Sequence, residues 1–353
     1  MKRFFCVLSL LLAWMAMWAD NKQIVVEAGS AESLLQTIEE VNRLNADSAA
    51  ERLFVMIPDG YYDLGERVLT LITGHNISLI GQSMEGTVIR NAPDLKDEGI
   101  GKTAVIRNSG TGLFLQDLTL RNDLAYYDSK AEGRAVCLQD RGTRTICKRV
   151  RMLSHQDTYY SDNERCQHFF DESEIHGTVD FICGAGDVYF NRCTIVTEPR
   201  QLNGMGRDVI AAPRTSQTQW GYVFESCTIK NVTSDFQYAR GWHTKPRMAL
   251  LNTTLLSPER LLAPRYDPRG MRTVESLFYE YHTMDAEGHD ITPKSNVVTF
   301  TLKEEKRDHE TILTPEAASH YTLKKIFPDW RPEKIMKKLL KKTARLRRQA
   351  FDK

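Results

Sequence analysis

Six segments decide the fold: Leu113-Phe-Leu-Gln-Asp-Leu-Thr-Leu120, Ile146-Cys-Lys-Arg-Val-Arg-Met152, His168-Phe-Phe-Asp-Glu-Ser-Glu-Ile175, Val188-Tyr-Phe-Asn-Arg-Cys-Thr-Ile195, Tyr222-Val-Phe-Glu-Ser-Cys-Thr-Ile229 and Met248-Ala-Leu-Leu-Asn-Thr-Thr-Leu255. Each is rich in β-branched and aromatic residues and closes on an apolar residue, at positions 120, 152, 175, 195, 229 and 255. Imperfect repeats of this length, each carrying one similar strand, are what stacked solenoid coils produce. A β-sandwich would need hairpin turns every ~8–12 residues, and two-residue Asn-Gly or Asp-Gly hairpin signals are nearly absent. The expected fold is therefore all-β, a parallel β-helix. Upstream, Gln23 to Val26 reads as a short strand, and Arg52 to Ile57 as a buried one closed by Pro58-Asp59-Gly60. Between them Leu34, Leu35, Ile38, Val41 and Leu44 fall at helical spacing after a Ser30 cap. That helix, Ala31 to Asn45, would cover the open end of the first coil.

Composition agrees with a globular body: 353 residues, 41% hydrophobic and 26% charged, with a net charge of +1 that suggests no nucleic-acid partner. The balance conceals an asymmetry. Arg331 to Lys353 carry a net +8, so the remainder is acidic. In that segment Ile335, Met336, Leu339, Leu340 and Leu346 recur at helical spacing. It reads as a helical tail packed on the barrel or, alternatively, as a tether to an anionic polymer or an anionic membrane surface. At the other end Lys2-Arg3 precedes the apolar run Phe4 to Trp18, the pattern of a secretory signal peptide. About 15 apolar residues fall short of the ~20 a spanning helix needs. The organisation expected is a signal peptide over 1–19, a β-helix over 20–330 and a basic helical tail over 331–353. The protein would be exported, to the periplasm or beyond the cell, with no membrane span.

Six cysteines lie outside the leader, at 137, 147, 166, 183, 193 and 227. They show no CxxC clustering or zinc spacing. Several occupy inward strand positions, and we expect reduced core thiols rather than bridges. The nine histidines show no paired metal spacing, so neither a metal nor a cofactor is expected. The sequons at Asn231 and Asn252 are too common by chance to carry weight.

The repeat alignment has a chemical consequence. Asp157 follows the Met152 anchor, and Asp180 the Ile175 anchor, by the same offset. On consecutive coils, with strands ~4.8 Å apart, the two carboxylates would stand one above the other. Two such groups cannot both ionise easily, so one retains its proton to higher pH. A pair of solvated turn aspartates is the alternative, although the apolar context Thr178-Val-Asp-Phe-Ile182 makes a purposeless buried charge costly.

Three blocks in order, Ser154-His-Gln-Asp-Thr-Tyr-Tyr160, Gly177-Thr-Val-Asp-Phe-Ile-Cys-Gly184 and Ala239-Arg-Gly-Trp242, resemble the signature blocks GxQDTL, GTVDFIFG and GRPW of pectin methylesterases, here of the exported bacterial type. The resemblance extends from about Gly60 to Thr322. It implies a right-handed parallel β-helix and hydrolysis of the methyl esters of polygalacturonate, releasing methanol, by a monomer without cofactor. It further implies that Asp180 is the nucleophile and Asp157 the general acid and then base. Gln156 would donate to the oxyanion, Arg240 would hold the nucleophile, and Trp242 would form a platform for the sugar. Arg214 falls on a family arginine and would contact substrate or serve a structural ion pair. Three departures stand out, one of them at Pro264-Arg-Tyr-Asp267, where family members often offer further aromatic residues to the substrate. Arg134-Ala-Val-Cys-Leu138 replaces a family QAVAL block, putting Arg134 where a second oxyanion donor is expected, and the GRPW proline is lost. Two other functions share this architecture. A β-helical glycosidase could use the same carboxylates on the pectin backbone, but the Asn-Thr-Asp, Gly-His-Gly and Arg-Ile-Lys blocks of polygalacturonases are missing. A catalytically silent carbohydrate-binding β-helix is the other. No acidic cluster of the kind a calcium-dependent lyase needs is apparent.

Overall fold

The computed structural model describes residues 23–352 except 98, 130–132, 204–205, 216–218 and 233. The expected signal peptide lies outside the described residues. Ten parallel strands form the spine of one sheet, in the order Gln23–Val25, Leu53–Ile57, Ile77–Gly81, Phe114–Asn122, Thr145–Leu153, Gln167–Asp171, Asp187–Asn191, Tyr222–Glu225, Arg247–Leu251 and Leu277–Tyr281. Seven more, from Thr70–Ile72 through Leu138–Asp140, Tyr159–Ser161, Val179–Gly184 and Arg207–Pro213 to Asp235–Ala239, stack as a second parallel sheet. A third run, Glu174–Gly177, Thr194–Thr197, Thr228–Asn231 and Thr254–Leu255, continues the first sheet around a corner. This is a parallel β-helix, as expected.

The six anchor residues form one column. Leu120 pairs with Met152, Met152 with Ile175, Ile175 with Ile195, Ile195 with Ile229 and Ile229 with Leu255. All are at most 2% exposed. Each coil contributes one such side chain per inward position, so the core is a set of stacked rows rather than a central cluster. The phenylalanines show the same rule: Phe170, Phe190 and Phe224 stack at centroid separations of 5.0 and 4.5 Å.

The corners are equally regular. Asp117, Arg149, Glu172, Arg192, Ser226, Asn252 and His282 occupy successive coils with φ between 48 and 53°. A single left-handed residue turns the strand sharply. The corner side chains and their neighbours offset that strain with a polar ladder. Lys148 Nζ lies 2.6 Å from both Asp171 and Glu172, and Arg192 reaches the same two carboxylates.

At the N-terminal end the helix Ala31–Leu44 lies over the first coil with Leu34, Ile38 and Val41 buried. Ser30 Oγ accepts from the Ser33 N–H, the cap read from the sequence. The helix Pro332–Phe351 lies on the outer face of the first sheet. Leu346 and partly buried Ile335, Met336, Leu339 and Leu340 join a cluster with Phe54, Met56, Ile80 and Phe114. All six cysteines are buried free thiols. The antiparallel hairpin Val297–Leu302/Glu305–Glu310 and the short helices Pro315–Ala318 and Leu323–Ile326 were not anticipated. They lie beyond the last repeat, where the coil periodicity no longer predicts structure. Among the described residues no helix is long and apolar enough to cross a membrane.

Candidate active site

The outer face of the seven-stranded sheet gathers the residues singled out in the sequence. Tyr159 pairs with Ile182 and Tyr160 with Cys183, which sets Asp157 beside Asp180 on the adjacent coil. The Asp157 N–H donates to Val179 O at 3.3 Å. Both aspartates have left-handed backbones, φ 59 and 52°, a conformation that Asp tolerates better than most residues. Around Asp180 the register to the next coil shifts between Val179 and Ile182, the mark of a bulge. A bulge re-aims a side chain. Asp157 and Asp180 are 4% and 5% exposed.

Arg240 follows the strand Asp235–Ala239 and donates its N–H to Ala211 O on the neighbouring coil. From there its Nε lies 2.8 Å from Asp180 Oδ1 and 3.1 Å from Oδ2, and its Nη2 also contacts Oδ2. This forked, charge-assisted contact orients the Asp180 carboxylate. Arg134 bridges to Gln156 through the backbone, and its Nε lies 3.7 Å from Asp157 Oδ2.

The two carboxylates are therefore unlike. Burial pushes Asp157 up to about 8, with the Asp180 charge adding to it. Arg134, a hydrogen bond from the Cys183 thiol, and Arg240 oppose the rise. One acid is held protonated near neutrality beside a carboxylate fixed by an arginine fork, an arrangement suited to acid–base and nucleophilic work.

A cavity of about 420 Å³ opens over the pair, lined by Gln156, Asp157, Asp180, Arg240, Arg134 and Trp242 among others. A second, of about 660 Å³, shares Gln156 and Arg240 and is walled by Tyr126, Tyr127 and Arg200. Together they form a groove running past the carboxylates. The Trp242 backbone is seated by its amide N–H, which donates to Pro213 O. Arg214 does not line either cavity. It pairs with Asp162 at 3.1 Å and lies over the Trp242 ring at 5.2 Å, so it props the tryptophan.

Sequence reasoning missed four contributors. Cys183 lies in the cavity and hydrogen-bonds Asp157, and burial pushes its thiol well up so that it stays neutral. Its departure from the GTVDFIFG block was the available signal. Tyr126 stacks on His155 at 4.7 Å and Tyr127 packs edge-on against the same ring. Nothing in the linear sequence links that pair to position 155. Met271 joins Trp242 through a backbone bridge. Asp285, Glu287 and His289 bring potential metal-ligand atoms within 4.8 Å of one another on the surface, but the cluster is held together by its own hydrogen bonds.

A family model described as Pectinesterase matches residues 23–311. A probable pectinesterase/pectinesterase inhibitor of Arabidopsis thaliana is 29% identical over 258 residues, covering 66% of this chain and 47% of that protein. Pectinesterase 3 of Solanum lycopersicum is 24% identical, covering 80% of this chain and 54% of the relative. The chain thus spans about half the length of these curated relatives. Among solved structures, pectin methylesterase from carrot superposes with a TM-score of 0.64 at 19% identity, covering 82% of this chain and 88% of that one. The Erwinia chrysanthemi pectin methylesterase gives 0.61 at 23% identity, with 81% and 92% covered. A pectin methylesterase in complex with a hexasaccharide gives 0.62 at 23% identity, with 84% and 93% covered. These likenesses establish the fold.

Proposed function

The chain belongs to the pectinesterase family, and on that premise we propose that it is a carboxylic ester hydrolase acting on methyl-esterified polygalacturonate. The observation that carries the reading is the unlike carboxylate pair, with Asp180 gripped by Arg240 and Asp157 pushed up to about 8 in the same cavity. An Asp180 oxygen attacks the ester carbonyl carbon, and the negative charge that develops on the carbonyl oxygen is met by the Gln156 amide. The tetrahedral intermediate collapses as Asp157 gives its proton to the departing methoxide, leaving methanol and an anhydride on Asp180. Asp157, now ionised, takes a proton from water. The hydroxide attacks the anhydride, which splits into the Asp180 carboxylate and a galacturonic acid that gives its proton to solvent. Trp242, propped by Arg214, offers a face to the sugar. Arg134 balances the charge of the ionised Asp157.

The test is methanol release from methylated pectin. Asp180→Asn and Asp157→Asn each remove most of it while circular dichroism stays unchanged, because each replaces a reacting group by an isostere. Asp180→Asn with near wild-type turnover refutes the nucleophile, and reducing ends in place of methanol refute the reaction. The same reading divides the chain into an exported leader over 1–19, a catalytic β-helix over 20–330 and a basic helical tail over 331–353. Export, to the periplasm or outside the cell, is supported by Lys2-Arg3 and the apolar run Phe4 to Trp18. The acting species in this reading is a monomer.

A further inference from the structure

The C-terminal helix presents to solvent a face that the ester chemistry does not use. Lys334, Lys337, Lys338, Lys341, Lys342, Arg345 and Arg348 are all exposed. At 100° per residue they fall within one stripe about 140° wide, running the length of a 20-residue helix, about 30 Å. The opposite face is occupied. Leu346 and Thr343 are fully buried against the sheet, Thr343 Oγ1 donates to Gln116 Oε1 at 2.9 Å, and Arg347 is tied to Asp117.

Within the stripe, Lys334/Lys338, Lys337/Lys341 and Lys338/Lys342 stand four residues apart, a spacing at which like charges repel. Among the described residues none of Lys334, Lys337, Lys338, Lys341 and Arg348 has a carboxylate within ion-pair distance. The rest of the chain carries a net negative charge, so the positive charge is concentrated on this helix. A rigid helix face carrying these five cations is a complement for a linear polyanion.

We propose that this stripe is a second polysaccharide site, separate from the groove, that binds the de-esterified, carboxylate-bearing stretches of polygalacturonate. The inference rests on the proposed reaction for its partner, because that reaction turns neutral esters into a run of carboxylates. An anionic membrane is the less favoured occupant. An interfacial helix inserts its apolar face, and here that face is already packed on the sheet.

The test compares wild type, the quadruple variant Lys334→Gln/Lys337→Gln/Lys338→Gln/Lys341→Gln, and the same four positions changed to Arg. Titration calorimetry measures binding of polygalacturonate, fully methylated pectin and phosphatidylserine vesicles at low and high salt. Polygalacturonate binds wild type and the Arg variant, and salt weakens it. The Gln variant loses roughly 10- to 50-fold at low salt, the sum expected of four exposed charge pairs, and its salt dependence flattens. Its methanol release from a short methylated oligouronide is unchanged. Equal affinity of wild type and the Gln variant overturns the site, and so does equal affinity for neutral pectin. Tighter binding to vesicles than to polygalacturonate overturns the assignment of partner. Loss of methanol release in wild type with the binding pattern intact would instead overturn the proposed reaction alone.

Discussion

Replacing Arg134 by Gln moves the alkaline limb of the pH–rate profile upward. In the proposed reaction Asp157 must enter protonated, so kcat/KM falls as pH rises through its pKa of about 8. The Arg134 Nε, 3.7 Å from Asp157 Oδ2, favours the ionised form and holds that pKa down. Removing the charge therefore lets Asp157 keep its proton to higher pH. Two unit charges at this separation interact by ~1 kcal/mol in water and by ~4 kcal/mol at an effective dielectric of ~20. The Arg134 side chain is 34% exposed, so solvent screening puts the effect in the lower part of that range. A change of roughly 1.4–2 kcal/mol raises the limb by about 1–1.5 pH units. The assay is methanol release at substrate well below KM, from about pH 5 to 10. A limb that stays in place or moves down refutes the electrostatic role. Arg134→Ala moves the limb in the same direction. If it also loses a further ~10²–10³ in turnover that Arg134→Gln keeps, the side chain additionally serves the oxyanion.

Three further outcomes follow from the structure. Burial pushes Asp208 up to about 8, so the native state holds a proton that the unfolded chain releases near pH 4, and stability falls as pH rises between the two values. Asp208→Asn removes that loss, so chemical denaturation should show a stability gain that grows from about pH 4 and levels off above about 8, and a gain independent of pH contradicts the argument. Leu346→Ala empties a fully buried position under the C-terminal helix and should cost about 2–5 kcal/mol in urea unfolding; a cost below ~1 kcal/mol would mean the helix is not part of the cooperative unit. Trp242→Ala removes a half-buried wall of the cavity and should raise KM roughly tenfold, about 1.4 kcal/mol, with a smaller change in kcat, whereas a drop in kcat alone would place the ring at the reacting atoms.

Much of this protein is legible in one dimension because a β-helix repeats in one dimension. Each coil rests only on its neighbours, so aligning Leu120, Met152, Ile175, Ile195, Ile229 and Leu255 by their local pattern is equivalent to stating the strand register. The equal offsets of Asp157 and Asp180 from those anchors then place the carboxylates together, since one coil step is one strand spacing. The helix over Ala31–Leu44 and its Ser30 cap are likewise local. What tertiary structure alone decided lies where the intervening turns differ in length. Arg240 meets Asp180 across 60 residues, and the connecting loops obey no period that could be counted. The Arg134 contact with Asp157, the prop of Arg214 beneath Trp242 and the Tyr126–His155 stack depend on side chains converging on one outward face from four or more coils. So does the difference between the two aspartates on which the proposed roles rest. Residue type and burial make the two aspartates alike; their partners differ, Arg240 forking Asp180 while Arg134 stands 3.7 Å from Asp157, and those partners are properties of the assembled groove.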